Sequence, residues 1–250
     1  MCSSDLLVLL HAFPIGANLW EPQMRSVPAG WRLITPDLRG FGGSTELDSL
    51  SALSVADFAD DIVDLLQELE IPRAVIGGCS MGGYAALALY QAYPQVVDAL
   101  ILANTRATAD TPEGRANRRN MLAVVDREGP SGVARDMMPK LLGRTTHDAN
   151  PSIEAIIRRL IKQQSPIAIR SAIHRMMHRP DSTALLPDIA VPTLVITGEE
   201  DEMIPVEESR RIAAGVPNAT LVIIPGAGHL ANVEQPDAFN SAVSGFLASL

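Results

Sequence analysis

The segment Gly77-Gly78-Cys79-Ser80-Met81-Gly82-Gly83 sets a single serine among four glycines. The apolar run Arg73-Ala74-Val75-Ile76-Gly77 precedes the serine, and a small, apolar segment from Met81 to Tyr93 follows it. The first pattern predicts a buried strand and the second a buried helix. A serine on so abrupt a strand-to-helix turn projects from the top of a sheet, where it can act as a nucleophile. Gly78 and Gly82 are then needed for close backbone packing. Free N–H groups at the helix start, with their dipole, favour negative charge developing beside Ser80. The Met81 N–H is the expected donor to such an oxyanion. Cys79 reads as a small buried residue directed away from the site.

A serine needs a base, and the base needs a carboxylate to orient it. Past the apolar run Thr193-Leu194-Val195-Ile196-Thr197 come Gly198-Glu199-Glu200-Asp201-Glu202-Met203-Ile204-Pro205. Past Thr220-Leu221-Val222-Ile223-Ile224 come Pro225-Gly226-Ala227-Gly228-His229. Both segments follow strand ends, where ligands bind in open α/β sheets. His229, in a glycine-rich loop, can reach Ser80, take its proton and return it to a leaving group. Glu199, Glu200, Asp201 and Glu202 compete for the orienting role. An earlier strand ends in Ala103-Asn104-Thr105 and offers no acid. A second oxyanion donor is expected from the loop His11-Ala12-Phe13-Pro14. Pro14 has no N–H, which leaves that of Phe13. His11 reads as a brace for this loop.

These residues need a scaffold, and the hydrophobic pattern supplies one. Leu6 to Leu10, Arg32 to Thr35, Arg73 to Gly77, Ala99 to Ala103, Thr193 to Thr197 and Thr220 to Ile224 read as strands of a parallel sheet. Helical patterns alternate with them. Val55 to Glu70 sets Phe58, Ile62, Leu65, Leu66 and Leu69 on one face; Met81 to Tyr93, Val206 to Val216 and Pro236 to Leu250 are the others. The alternation predicts an α/β fold, a mostly parallel sheet with helices on both faces. The stretch 105–187 breaks the rhythm with four helical patterns: Pro112 to Glu128, Ser131 to Leu142, Pro151 to Gln164 and Pro166 to Met177. It reads as a helical cap inserted between sheet strands, leaving 1–104 and 188–250 as the core.

The 250 residues carry a formal net charge of −9. That argues against nucleic acid and against anionic membrane, since both attract positive fields. Cys2 and Cys79 make no disulfide framework and no metal or redox pair. No secretory or membrane-spanning pattern is visible near the start, which points to the cytoplasm. His174 and His178 lie four apart, a spacing that can bind metal, but no third ligand is evident; a helix surface is the simpler reading. Met137, Met138, Met176 and Met177 either line a pocket or pack the cap on the core. Arg115, Arg118 and Arg119 read as a solvated face, and Trp20 and Trp31 as packing residues near the first helix.

Taken in order, several segments resemble the α/β-hydrolase superfamily, in its small esterase and 3-oxoadipate enol-lactonase-like branch. They are His11-Ala12-Phe13-Pro14, Asp37-Leu38-Arg39-Gly40-Phe41-Gly42-Gly43-Ser44, Gly78-Cys79-Ser80-Met81-Gly82, Gly198-Glu199-Glu200-Asp201, Gly226-Ala227-Gly228-His229 and Glu234-Gln235-Pro236. The family's aspartate stands three residues after the glycine closing its strand, and this spacing selects Asp201, with Glu200 second. The resemblance gives Asp37 and Arg39 structural roles. Glycine usually stands where this chain has Ala12. A two-stranded hairpin commonly precedes the first strand found here; some plant esterases and hydroxynitrile lyases also begin late, and the alternative is an exposed sheet edge. The implied activity is cofactor-free hydrolysis of a small-molecule carboxylic ester by Ser80, Asp201 and His229. Lactonase and perhydrolase or haloperoxidase chemistry are alternatives, and a ligand-sensing signalling module is the rival from another class. Serine at the nucleophile position argues against haloalkane dehalogenases and epoxide hydrolases of this fold, which need aspartate.

Overall fold

Six strands form one sheet, and all six expected runs are among them: β1 (Asp5–Leu10), β2 (Trp31–Ile34), β3 (Ala74–Cys79), β4 (Val97–Ala103), β5 (Thr193–Gly198) and β6 (Ala219–Ile224). The computed structural model describes residues 5–44 and 54–250, so Cys2 lies outside the described residues. Every pairing is parallel, in the order β2-β1-β3-β4-β5-β6. β3 and β5 are buried at every position, and β1 and β4 at all but one. Consecutive buried residues point to opposite faces, so both faces of the sheet centre are covered. The edge strands β2 and β6 are only half-buried. The chain runs outward from β1 to β2, then returns to place β3 on the other side of β1. That reversal opens a crevice at the C-terminal ends of β1 and β3.

The helices of the sheet are α1 (Glu21–Met24), α2 (Ala56–Glu68) and α3 (Met81–Ala92), with three more below. α2 buries Phe58, Ala59, Ile62, Val63 and Leu66. The expected face was rotated slightly too far, because Leu65 is only half-buried and Leu69 is 46% exposed. α3 packs on β1, β3, β4 and α2, as its apolar circumference requires.

Between β4 and β5 lies the helical insertion: α4 (Pro112–Leu141), α5 (Arg144–Ala149), α6 (Pro151–Lys162) and α7 (Pro166–Met177). α4 is broken at Gly129, whose φ of 60° is non-helical, just before Pro130. The two helices expected there are therefore present, joined at a kink. The short α5 was not foreseen. Thr111 caps α4 by accepting from the Gly114 N–H, and Ser165 caps α7 by accepting from Ile167. α4 packs against α6 and α7. The core then closes with α8 (Val206–Gly215), α9 (Ala231–Glu234) and α10 (Pro236–Leu247); α8 and α10 pack on β5 and β6. Among the described residues, no helix is long and apolar enough to cross a membrane.

Candidate active site

Ser80 stands between β3 and α3 with φ 52° and ψ −108°, a left-handed conformation unusual for a residue with a side chain. Such backbone costs about 1–3 kcal/mol and persists only where its surroundings over-determine it. They do so here. The Ser80 N–H donates to the Ala103 carbonyl at 2.9 Å, and its carbonyl accepts from Thr105 Oγ1 at 2.8 Å and from the Gly83 N–H at 3.0 Å. A Cβ on Gly78 would lie 2.1 Å from the Gly82 carbonyl oxygen, and one on Gly82 would lie 2.1 Å from that of Leu10. The two glycines are thus demanded by contact distance.

The loops after β5 and β6 bring Asp201 and His229 together. His229 Nδ1 donates to Asp201 Oδ2 at 2.9 Å, and both side chains are buried. Asn104 Nδ2 donates to the same oxygen at 2.9 Å and to the Gly228 carbonyl at 3.1 Å. The Met203 and Ile204 N–H groups both donate to Asp201 Oδ1 at 2.9 Å. Burial alone would raise the Asp201 pKa. The neighbouring His229 charge and its hydrogen bond, with those from Asn104 and Ile204, outweigh it and hold the carboxyl below the ordinary value. Of the competing acids, Glu199 and Glu202 are exposed, and Glu200 turns to the insertion, accepting from Thr145 N–H at 2.8 Å and Thr145 Oγ1 at 2.6 Å.

The part played by Asn104 is not visible in the sequence, where it marks only the absence of an acid after β4. Its φ of 44° and buried amide are what an asparagine at a strand end supplies. Glu234 is another such case. Its buried carboxylate accepts from the Leu230 N–H at 3.0 Å, and from Gly143 N–H and Thr146 Oγ1 at 2.7 Å each, so it ties the His229 loop to α5.

Cys79 is buried, and its thiol faces the His229 carbonyl at 3.9 Å. Burial, and then the nearby Asp201 and Glu234 carboxylates, push the thiol pKa upward, away from nucleophilic thiolate.

The loop after β1 carries Phe13. Neither Phe13 nor Met81 spends its N–H on a backbone bond among the described residues. His11 braces this loop as expected. Its Nδ1 donates to the Ala12 carbonyl at 3.0 Å, and its Nε2 accepts from the Leu38 N–H at 3.0 Å. Burial lowers its pKa to about 4, against the smaller raising effects of Ala12 and Asp37. Ala12 is absent from the positive-φ residues, so the missing glycine does not strain the backbone there. Asp37 accepts from the Ala17 N–H at 2.7 Å and from Gly43 at 2.9 Å, and Arg39 Nε donates to Asp61 on α2 at 2.8 Å.

Phe13, Ser80 and His229 open on one cavity of about 500 Å³ beneath the insertion. The methionine cluster divides: Met137 and Met176 line this cavity, joined by Met121 and Met203, while Met138 and Met177 are buried away from it. Arg118 also faces the cavity and pairs with Asp110 at 3.1 Å, so it is not part of a purely solvated face. His174 and His178 stack with centroids 6.3 Å apart. Among the described residues no three His, Cys, Asp or Glu side chains gather as metal ligands.

Residues 7–242 match the alpha/beta hydrolase family. A Caulobacter protein named as a carbamate hydrolase, RutD, is 32% identical over 98% of this chain and 92% of its own length. Among solved structures, an esterase from Thermogutta terrifontis superposes with a TM-score of 0.94 at 37% identity, covering 98% of this chain and 90% of the other. The enol-lactonase from Burkholderia xenovorans gives 0.90 at 26% identity, covering 98% and 92%.

Proposed function

The chain belongs to the alpha/beta hydrolase family, and from that premise we propose that it hydrolyses carboxylic esters through an acyl-enzyme on Ser80. The observation that carries this reading is His229, paired with the buried Asp201 and opening on the same cavity as a serine held at φ 52°. With Nδ1 committed to Asp201, His229 has Nε2 free to take the Ser80 proton. Ser80 Oγ attacks the carbonyl carbon, and the N–H groups of Phe13 and Met81 receive the charge on the carbonyl oxygen. Collapse of the tetrahedral species breaks the bond to the alcohol oxygen, which leaves with the proton held by His229. Water, deprotonated by His229, then attacks the acyl-serine; the acid departs and Ser80 recovers its proton. Asp201 stays ionised throughout and stabilises the imidazolium. No step calls for a metal or organic cofactor. Residues 105–187 act as a cap that shapes the acyl pocket, with the methionines as its adaptable lining.

Lactone opening is the second reading, favoured by the likeness to the Burkholderia enol-lactonase over nearly the whole chain. It uses the same atoms, with the leaving alcohol still tethered to the acyl group.

Hydrolysis of p-nitrophenyl acetate, butyrate and octanoate by wild type and Ser80→Ala tests the proposal. Steady turnover by the wild type, with a loss of at least about a thousand-fold in kcat in a folded Ser80→Ala, is expected. Full activity in the alanine variant would sink the mechanism. A wild type inert on all three esters would sink the simple-esterase reading.

A further inference from the structure

We propose that Arg106 recognises a carboxylate, so that the preferred substrate carries an anionic group besides its scissile ester or lactone. This rests on the serine-hydrolase reading and specifies its substrate class. Arg106 lines the cavity that holds Ser80 and His229. It comes directly after Asn104, which holds Asp201, and Thr105, which holds the Ser80 carbonyl. The strand-end turn that assembles the site therefore also brings Arg106 to its wall, between this cavity and a smaller one lined by Tyr84 and Arg179.

The charge there is uncompensated. Arg106 Nη2 donates to the Met203 carbonyl at 2.7 Å, and Nε is buried without a partner among the described residues. No carboxylate pairs with it among those residues, whereas the other inward-facing charges are matched. Asp110 is held by Arg118 at 3.1 Å and Arg179 at 2.6 Å. Asp136, Glu113 and Lys140 also line the cavity, but all three are exposed. An arginine in a partly desolvated cavity, fixed by one carbonyl and lacking a counter-ion, is suited to a planar anion. A neutral ester leaves that charge unpaired; a carboxylate-bearing one pairs it, and buried unpaired charge is where selectivity arises.

Two isosteric pairs test this, followed by pH-stat: monoethyl glutarate against ethyl glutaramate, and 3-carboxyphenyl acetate against 3-carbamoylphenyl acetate. The first pair places the charge on the acyl side, the second on the alcohol side. In at least one pair the wild-type ratio of kcat/KM, anion over amide, is expected to be about tenfold or more, and Arg106→Gln to abolish the preference. Arg106→Lys, which keeps charge without the planar fork, should retain part of it. Using a ratio removes any effect of Arg106 on the Met203 turn and thus on Asp201. Wild-type turnover without anion preference in either pair would overturn the proposal and leave the hydrolase reading intact. So would a preference that survives in Arg106→Gln. A wild type that cleaves none of the four, with Ser80 unlabelled by a fluorophosphonate, would overturn the hydrolase reading and this inference with it. Should Arg106→Gln fail to fold, inhibition of wild-type p-nitrophenyl acetate turnover by glutarate and by glutaramide decides. Glutarate is expected to act at a roughly tenfold lower concentration; equal or weaker inhibition would overturn the proposal.

Discussion

Glu200 and Asp201 are consecutive acids that serve different parts of the molecule. All four donors to Asp201 come from the sheet ends: Asn104, Met203, Ile204 and His229. Both donors to Glu200 come from Thr145 in the helical insertion. The same contrast runs through the two regions. In the core, strand ends and tight turns fix the site, and most of the bonds involve main chain. The helices of the insertion are tied to the core mainly through side chains, among them Glu200 and Glu234 to α5, Gln164 to the Gly42 N–H at 3.0 Å, and Arg175 to Asp57 at 3.1 Å. On the proposed reading, a core held this way preserves one chemistry while the insertion sets what reaches it.

The largest effect expected of that division is on Asp201. Asp201→Asn keeps the size but loses the anion that orients and balances His229. It should lower kcat on p-nitrophenyl acetate by about 10³–10⁴-fold. Glu200→Gln, one residue away, should stay within about threefold, as expected for a partly exposed contact. If the two amides cost the same, the division of labour between these acids is wrong.

The next effect concerns stability of the core frame. The His11 pKa falls from 6.5 to about 4 on folding, so the native protein binds fewer protons than the unfolded chain in that interval. The contribution is complete above pH 6.5 and is lost as pH falls toward 4, about 3 kcal/mol in all. Asp201, Asp110 and Glu200, whose carboxyls are held below their ordinary values, lose their contributions as pH falls below those values, about 4.5 for Glu200 and 3.8 for the aspartates. Urea unfolding at pH 7 and 4.5 should show the drop in wild type and a shallower one in His11→Gln. Gln can still bond both Ala12 and Leu38. Equal pH slopes would remove His11 as the source.

The contrast also explains what the sequence made legible. The six strands, Ser80, His229 and the short loop holding the acid were visible because a buried parallel strand leaves an apolar run, and a tight turn demands glycine. The choice of Asp201 rests on family spacing, because the four acids of that loop, Glu199 to Glu202, have the same local signal. Asn104 was missed for a related reason. Its role depends on β4 lying beside β5, a long-range adjacency that no local pattern encodes. In the insertion, α5 escaped notice because six residues, Arg144–Ala149, carry too little periodicity. Whether each methionine packs or lines the pocket depends on how α4 and α7 face the cavity, which no local pattern encodes.

Asn104→Ala sharpens the comparison from inside the core. It removes a donor to a buried carboxylate and the tie to the Gly228 carbonyl, a loss of about 2 kcal/mol, or roughly thirtyfold in kcat/KM. Because it acts through Asp201, its cost should shrink in an Asp201→Asn background. Full additivity in that double-mutant cycle would mean that Asn104 supports only the loop, not the carboxylate.

Thr145→Val should be the mildest change and the most informative about the insertion. It removes the hydroxyl that donates to Glu200 Oε1 and leaves the Thr145 N–H bond to Oε2 in place. Valine matches threonine in shape, so packing is nearly conserved. Glu200 is partly exposed, and water can replace the lost donor, which limits the cost to about 1 kcal/mol or less. If the insertion governs access to the cavity and leaves the chemistry to the core, the change belongs in KM, by at most about fivefold, with kcat moving less than about twofold. The expected KM rise should grow with acyl length, because longer chains contact more of the methionine lining. A fall in kcat with KM unchanged would instead place α5 in the catalytic frame. Glu234, which joins α5 to the His229 loop through a buried carboxylate, would then be the route by which the insertion reaches the histidine.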